Sequence, residues 1–450
     1  MKRIYSLITA ALLFAVLTSA SAQGTWSLQK CIDYALQNNI QIKQQVLNSQ
    51  YYNNQLDQAK FNRLPNLNAG FQNNMNYGRT LGSDNTYLDI NSNSTSGSLS
   101  SNVTVWNGFI LKNSVKMAEL DLKASLEEMQ KAKDDMMLNI AASYLEILFA
   151  EELQIVAEDL LKITQLQIDR TNKLVEAGSL AKGSLLEIEA QYAREELSVV
   201  NAQNRLQLAY LSLYQLLELP STESFKIEKP VLPEVGANMS LLNSMDVFRN
   251  AVQLRPAVKG AEFKLESARK QLLIAKGNLM PTLSLGGNYY NFYNNKYKYP
   301  DPPYGTGDKI TFGDQMKSNE RYGFGASLNI PIFNRYQART GVSNSQIQLE
   351  NSELTLQNTK NLLRKEIEQA YTNALAAFKR YVANQKTVVS SKEAFRYTEE
   401  KFNVGMINSV EYNQSKNNLS AAQSDLLQAK YEYIFRTKIL DFYNGKTIEL

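Results

Sequence analysis

The sequence has 450 residues, with 48 lysines and arginines against 44 aspartates and glutamates, which gives a formal net charge of +4. It contains no histidine, which excludes Ser/His and Cys/His nucleophilic catalysis and removes the commonest metal ligand. Carboxylate-only chemistry stays open, but no paired-acid motif or phosphate-binding glycine loop is present. We therefore expect no enzyme activity, cofactor or metal, and without a charge run we expect no nucleic-acid partner.

The first 22 residues have the pattern of a secretory signal peptide. Lys2 and Arg3 precede an apolar run over residues 4–17, and Ala20-Ser21-Ala22 is typical of a cleavage site. A membrane anchor is the alternative, but the run is short for a membrane span. Further along, no stretch of about 18 apolar residues occurs, so helical spans are excluded and any membrane insertion must use β-strands.

The chain contains an internal repeat. Several residues recur 216 positions later. From Trp106 onward, the matching residues lie 227 positions apart. The matched pairs include Ala35/Ala251, Lys43/Lys259, Lys60/Lys276, Pro65/Pro281, Trp106/Phe333, Val175/Phe402 and Gly178/Gly405. The repeat predicts two structurally equivalent halves, residues 23–219 and 244–450, joined by a linker over residues 220–243.

Long helices are predicted in both halves. No proline lies between residues 66 and 219 or after residue 331, and apolar residues there are spaced three and four apart. We expect long helices over residues 107–177 and 333–404, each roughly 105 Å long, and return helices over residues 183–217 and 409–444. A compact core cannot cover such helices, so they must pack as coiled coils. A further helix, of roughly 35 residues, precedes Pro65 and Pro281 in each half.

Alternating polar and apolar residues predict four strands, over residues 66–77, 97–106, 282–293 and 321–331, with an Asn-, Ser- and Gly-rich loop after the first. Their length suits tilted membrane-crossing strands with one face toward lipid and one toward water. Tyr290, Phe292 and Tyr293 are predicted to belong to an aromatic belt, with packing in a surface loop as the alternative. Four strands cannot close a water-filled barrel, so several copies must pool their strands.

The segment from Ser27 to Asn39 resembles the opening motif S-L-x-x-A-L-x-x-A-L-x-x-N of the TolC-like outer-membrane efflux protein family, and Arg255-Pro256 is typical of the second copy. The resemblance extends over essentially the whole mature chain. It implies a mixed α and β membrane protein, internally duplicated and homotrimeric. A 12-stranded transmembrane β-barrel, with four strands per protomer, would continue as a long α-helical coiled-coil barrel in the periplasm.

The resemblance also implies a function and partners. The protein would be the outer-membrane exit duct of a tripartite efflux or type I secretion system, placed in outer-membrane lipid. It would receive substrates from a periplasmic adaptor (membrane fusion) protein and an inner-membrane pump. The residues implied in adaptor contact are Gly178, Ser179, Gly405 and Met406, at the ends of the two long helices, where glycine is the usual αL cap.

Acidic residues often ring the aperture in this family, six and nine positions after the second glycine. Those positions hold Glu411 and Gln414 here, and the first copy has Ser184 and Glu187. Glu187, Glu411 and Gln414 are therefore the implied gate residues, with ordinary solvated side chains as the alternative. Gln414 departs from the acidic pattern, so the charge of the gate stays open.

A periplasmic coiled-coil scaffold or adaptor without a pore is the competing interpretation. It shares the export signal and the long helices with the duct. The four alternating segments argue against it, because such a scaffold has little use for paired strands of this length. The sequence leaves open the exported substrate, the class of pump and whether the resting tip is closed.

Overall fold

The computed structural model describes residues 25–81, 85–219, 226–231 and 242–448. The predicted signal peptide and most of the predicted linker lie outside these residues. The chain divides into two compact units, the first formed by Met1–Asn48, Leu126–Gly260 and Gln357–Leu450 and the second by Ser49–Ser125 and Ala261–Leu356. The described part of the first unit is almost entirely helical, and the second contains the β-sheet.

Two similar series of elements follow one another along the chain. The first series is α1 (Leu28–Asn38), α2 (Ile40–Phe61), β1 (Asn68–Leu81), β2 (Tyr87–Trp106), α3 (Ile110–Glu176) and α4 (Lys182–Leu217). The second is α5 (Ser244–Leu254), α6 (Pro256–Gly277), β3 (Thr282–Asn294), α7 (Phe312–Ser318), β4 (Arg321–Asn329), α8 (Gln337–Asn403) and α9 (Ser409–Tyr443). In the second series a short helix, α7, lies between the two strands.

The prediction of one helix of roughly 35 residues before the strands of each half is wrong. The structure has two consecutive helices there, α1 and α2 in the first half and α5 and α6 in the second. Asn39 has φ −61° and ψ 134°, and Arg255 has φ −71° and ψ 130°, both in the extended region. The side chain of Asn39 caps the next helix by accepting a hydrogen bond from the Gln41 N–H at 2.8 Å. Arg255 precedes Pro256, whose ring disfavours the helical conformation in the residue before it. The two breaks lie 216 positions apart and belong to the repeat.

The long helices α3 and α8 each have 67 residues and begin slightly later than predicted. The later start of the helix has the same cause in both halves. Gly108 and Phe109 have φ of 62° and 66°, and Arg335 and Tyr336, 227 positions later, have φ of 54° and 62°. A left-handed pair cannot start a right-handed helix, so each helix begins just beyond it. At Gly108 an added Cβ would lie 2.8 Å from the Gly277 carbonyl oxygen, which requires glycine there.

The four strands form one antiparallel sheet in the order β1-β2-β3-β4. β2 begins at Tyr87 rather than at residue 97, so the predicted Asn- and Ser-rich loop is largely strand. Its first half pairs with β1 from Leu81↔Tyr87 to Asn73↔Thr95. Pairing with β1 satisfies the backbone hydrogen-bonding groups of these residues, although their side chains do not alternate between apolar and polar. The strand could therefore not be predicted from the sequence pattern.

The strand register gives the sheet two different faces. We call one the apolar face, because paired positions on it carry most of the large apolar side chains. They are Phe71, Met75, Tyr77, Leu99, Val103, Leu285, Tyr289, Tyr322, Phe324 and Leu328. The other, the polar face, carries Gln72, Asn74, Asn76, Ser94, Ser96, Ser98, Ser100, Asn288 and Ser327. Phe71 and Phe324 are 80% and 91% exposed, so the apolar face is uncovered over much of its area.

The helical unit has its core where α1 packs among α3, α4 and α9. Residues at this core include Ile32, Ile140, Tyr144, Leu213 and Phe442. Cys31 is fully buried there, and burial raises the pKa of its thiol to about 12, as suits a packing residue. Among the residues that the structure describes, no helix is apolar over enough of its length to cross a membrane.

Candidate functional site

The long helices α3 and α8 end in the same kind of turn. Gly178 and Gly405 have φ of 74° and 76°, in the left-handed region. The N–H groups of Gly178 and Ser179 donate to carbonyls of the last helical turn at 3.0 and 2.8 Å, and those of Gly405 and Met406 do so at 3.1 and 2.9 Å. The acceptors are Val175 and Leu174 in the first copy, and Phe402 and Lys401 in the second. This is the Schellman arrangement, which satisfies carbonyl groups that the helix end leaves free.

The two glycines are required by backbone conformation and not by crowding. A Cβ built at Gly178 or Gly405 would meet no atom within 4 Å. The second turn is more apolar than the first, because Val404 and Met406 are 71% and 73% exposed. Ser179 occupies the place of Met406 in the first turn and is also exposed. Both turns therefore leave their backbone open and carry exposed side chains.

The return helices after the two turns begin differently. Asn408 is the N-cap of α9, and its Oδ1 accepts a hydrogen bond from the Glu411 N–H at 2.9 Å. Ala181 is the N-cap of α4 and makes no side-chain capping bond. A side-chain cap contributes about 1 kcal/mol to the stability of a helix. The start of α9 is therefore more stable than the start of α4 by about this amount.

The three predicted gate residues make different hydrogen bonds within one chain. The carboxylate of Glu187 accepts a hydrogen bond from the hydroxyl of Ser409, a buried residue of the other half. Glu411 is exposed, and Gln414 donates to Asn418 Oδ1 at 3.0 Å along its own helix. Across the described ranges, neither of these two side chains makes a hydrogen bond to Glu187. All three residues are exposed, and of the three Glu187 alone is hydrogen-bonded to the other half of the chain.

A buried polar cluster, formed by Thr164, Gln191, Glu195 and Lys416, was missed by the sequence analysis. The Lys416 side chain is 2% exposed, and its Nζ lies 2.9 and 3.1 Å from the two carboxylate oxygens of Glu195. Nζ also donates to Thr164 Oγ1 and, at 3.1 Å, to the Leu160 carbonyl. Gln191 Nε2 donates to Glu195 Oε1 at 2.9 Å. The cluster joins α3 and α4 of the first half to α9 of the second.

Burial has a clear electrostatic effect in this cluster. Loss of solvation lowers the pKa of Lys416, while the carboxylate of Glu195 opposes that shift. A sequence pattern could have indicated the cluster, since Lys416 lies three and four positions after Asn413 and Tyr412, which are also buried. A lysine on the buried stripe of an amphipathic helix needs a buried partner.

The predicted aromatic belt is only partly consistent with the strand register. Tyr290 and Phe292 pair with Ser98 and Ser96 and therefore lie on the polar face. Tyr293 pairs with Thr95 and lies on the apolar face, where its ring centroid is 5.2 Å from that of Phe312. The three residues cannot form one belt on one face, because side chains of successive strand residues point to opposite sides.

Comparison with known proteins identifies the family. The model of the outer membrane efflux protein family matches residues 31–218 and 247–441. Toxin and drug export protein A of Aggregatibacter actinomycetemcomitans is 24% identical over 352 residues, which cover 76% of this chain and 70% of that protein. Outer membrane protein TolC of Escherichia coli is 22% identical over 370 residues, covering 79% and 71%.

Solved structures give the same result for the fold. The crystal structure of CusC matches with a TM-score of 0.78 at 18% identity, over 93% of this chain and 92% of that one. This likeness shows a shared fold of long helices with a β domain. The family match covers both halves of the repeat and most of the chain. The chain therefore belongs to the outer membrane efflux protein family, whose members are transport channels, and is a protein of the outer membrane with its helical part in the periplasm.

Proposed function

We propose that this chain is one protomer of a homotrimeric exit duct in a tripartite efflux or type I secretion system. The observation that carries the proposal is the apolar face, which continues across all four strands of the sheet. Within the part of the chain that the structure describes, the outer strands β1 and β4 each have an unpaired edge. Unpaired strand edges are not tolerated in lipid, so the sheet must pair with strands of other copies. Three copies would supply twelve strands, as the resemblance to TolC-like proteins implies.

The barrel would have its apolar face toward lipid and its polar face toward the water-filled lumen. Asn, Gln and Ser on the polar face suit a wet channel, and Phe71, Met75 and Phe324 suit contact with acyl chains. Tyr290 and Phe292 would then lie on the lumen side and Tyr293 on the lipid side. The duct itself performs no chemistry, and an inner-membrane pump supplies the energy for transport.

The glycine turns would be the end that meets the periplasmic adaptor. Exposed Met406 and Val404 offer an apolar contact at the second turn, and the open backbone at Gly178 and Gly405 lets a partner helix approach closely. Glu187, Glu411 and Gln414 follow the turns and would line the aperture. One relative is named as a toxin and drug export protein, so drug export is the first transport to assay.

Three measurements test the duct. The purified protein should require detergent, behave as a trimer by mass measurement and conduct ions in planar bilayers. A monomer that stays soluble without detergent and does not conduct would favour the scaffold interpretation instead.

Adaptor contact is tested separately by cross-linking. Ser179→Cys and Met406→Cys are combined with cysteine-scanned tips of a co-expressed adaptor hairpin. Ser343→Cys, an exposed position near the start of α8, is the matched control. We expect disulfide-linked adaptor from the turn positions and none from the control. Absence of adducts at both turns would exclude them as the adaptor contact.

A further inference from the structure

The connection between β3 and β4, residues 295–320, lies at the end of β3 that is remote from α6. β3 begins five residues after α6, has 13 residues and ends at Asn294. Tilted strands of about 9–11 residues are long enough to cross a bilayer. Because the helical part of the chain is periplasmic, the proposed barrel places this connection at the outer surface of the membrane.

Two lysines lie directly opposite each other in this connection. Lys298 and Lys309 form an antiparallel bridge, and both side chains are exposed. Two backbone hydrogen bonds of 2.9 Å flank the bridge. We call the two segments, residues 297–299 and 308–310, the lysine ribbon. Among the residues that the structure describes, neither lysine forms an ion pair, although like charges at directly opposite strand positions repel each other.

A buried glutamine attaches the lysine ribbon to β3. Gln315 of α7 is 1% exposed, and its Nε2 donates to the carbonyls of Asn294 in β3 and Ile310 in the ribbon, at 2.9 and 3.0 Å. Its Oε1 accepts a hydrogen bond from the Asn294 N–H at 2.9 Å. Asn319 adds a bond to the Phe292 carbonyl at 2.7 Å. These side chains bond to the edge of β3 where β4 no longer pairs with it. The lysines are therefore presented on a support that is hydrogen-bonded to the sheet.

The two lysines are directed to the side of the apolar face. Tyr297 packs edge-on against Phe292 of the polar face, with ring centroids 5.8 Å apart. Since successive strand side chains point to opposite sides, Lys298 and its bridge partner Lys309 point away from the polar face. α7 lies on the apolar side as well, where its Phe312 contacts the apolar face and is 58% exposed. Cations and exposed aromatic rings on one side of a membrane protein are typical of the headgroup region of a bilayer.

We propose that Lys298 and Lys309 bind a phosphate group of a lipid in the outer leaflet. Two ammonium groups without a carboxylate partner attract a phosphate, which lysine binds as a point charge. The occupant is a lipid and not a soluble anion, because the pair lies on the side of the sheet that would face lipid, as does the exposed ring of Phe312. The site rests on the barrel orientation of the proposed function and adds a specific lipid contact to it.

Binding of lipid A to the full-length protein in detergent tests the site. The probes are lipid A with its phosphates, the same lipid after removal of its phosphates, and inorganic phosphate alone. The test variant, Lys298→Gln with Lys309→Gln, is compared with Lys298→Arg with Lys309→Arg, which keeps both charges. The matched control, Lys60→Gln with Lys276→Gln, removes the same charge at two exposed positions that precede the strands. Native mass spectrometry measures the bound lipid over a range of concentrations.

The expected result is a loss of affinity that depends on charge and on phosphate. Phosphorylated lipid A should bind about tenfold or more weakly to the glutamine variant, and as tightly as before, within a few-fold, to the arginine variant and the control. Equal binding to the glutamine variant, or equal binding of the lipid without phosphates, would overturn the proposal. Inorganic phosphate that binds to the unaltered protein and not to the glutamine variant would also overturn it, since the occupant would be a soluble anion.

The oligomeric state and the conductance of the same samples separate this site from the duct. We expect the glutamine variant to remain a conducting trimer while it loses the lipid. If the unaltered protein is a soluble monomer that does not conduct, the proposed function fails. If the unaltered protein is a conducting trimer that binds lipid A equally with and without its phosphates, only the lipid site fails.

Discussion

Lys416 Nζ lies 2.9 Å from Glu195 Oε1, and the two residues belong to different halves of the duplicated chain. The pair is almost completely buried and is satisfied by further bonds to Thr164, Gln191 and the Leu160 carbonyl. With Thr164, it connects α9 of the second half to α3 and α4 of the first half. Each side chain neutralises the charge of the other. Loss of one should therefore destabilise the helical unit more than loss of both.

The buried pair predicts strongly non-additive mutants. Lys416→Met or Glu195→Leu alone should lower the stability of the helical unit by about 3–5 kcal/mol, because each leaves an uncompensated buried charge. The double variant should recover most of that loss. The measurement is the thermal midpoint of the far-UV circular dichroism signal in detergent. Arg364→Ala, which breaks an exposed pair with Glu368, is the control and should change little. Additive losses in the double variant would contradict the prediction.

Alkaline pH should destabilise the helical unit through Tyr412. Its side chain is buried against the rings of Phe395 and Phe402, and burial, reinforced by Glu399 and Glu195, raises the pKa of Tyr412 to about 12. The unfolded chain ionises near pH 10, so the stabilising contribution is complete below that pH and is lost as pH rises from about 10 to about 12. The loss amounts to about 2–3 kcal/mol.

Tyr412→Phe removes this titration. We expect the denaturation midpoint of this variant to fall less steeply between pH 10 and 12 than that of the unaltered protein. Tyr397→Phe, at a position that is 54% exposed, is the matched control. Equal pH profiles for Tyr412→Phe and the unaltered protein would show that the phenol of Tyr412 does not contribute.

Replacement of either turn glycine by alanine should be unfavourable because of the backbone conformation and not because of steric crowding. Gly178→Ala and Gly405→Ala should each destabilise the turn by about 1–2 kcal/mol, since a Cβ is unfavourable at their positive φ. Gly183→Ala is the matched control, because its Cβ would also meet no atom within 4 Å and Gly183 lies in the first turn of α4 without a positive φ. Proteolysis at the turns, followed by mass spectrometry, measures the effect. Faster cleavage of Gly183→Ala than of the other two variants would contradict this account.

The two faces of the sheet predict opposite responses to a charge. Phe324→Lys places an ammonium on the apolar face, where exposure to lipid costs about 2–4 kcal/mol at the membrane centre. Ser327→Lys, three residues along the same strand, places it on the polar face and should be tolerated. The yield of detergent-extracted protein from outer-membrane fractions compares the two variants. Equal yields would argue against the assignment of the apolar face to lipid.

Much of the fold followed from local sequence patterns. The absence of proline and the spacing of apolar residues indicated α3 and α8, and the glycines indicated where those helices end. Helix starts were less predictable, because a left-handed pair such as Arg335 and Tyr336 has no glycine to mark it. The first half of β2 was missed for a different reason: Asn and Ser favour loops locally, and only pairing with β1 makes them a strand.

The site was harder to predict than the fold. Gly178 and Gly405 could be found because their conformation demands glycine. The partner of Glu187 could not, since Ser409 lies 222 positions away and only tertiary packing brings it near. Tyr290 and Phe292 were grouped with Tyr293 by their proximity along the chain. Counting alternate residues from Leu285 would have separated them, because strand side chains have a period of two.

The duplication itself has a consequence for symmetry. A ring assembled from identical single repeats would carry the same contact at every junction, and any substitution would strengthen or weaken all junctions equally. Fusion of two repeats removes that restriction: position 195 holds a glutamate while position 422, its equivalent, holds an alanine. In the ring proposed above, the contacts within a chain and those between chains can therefore differ in sequence.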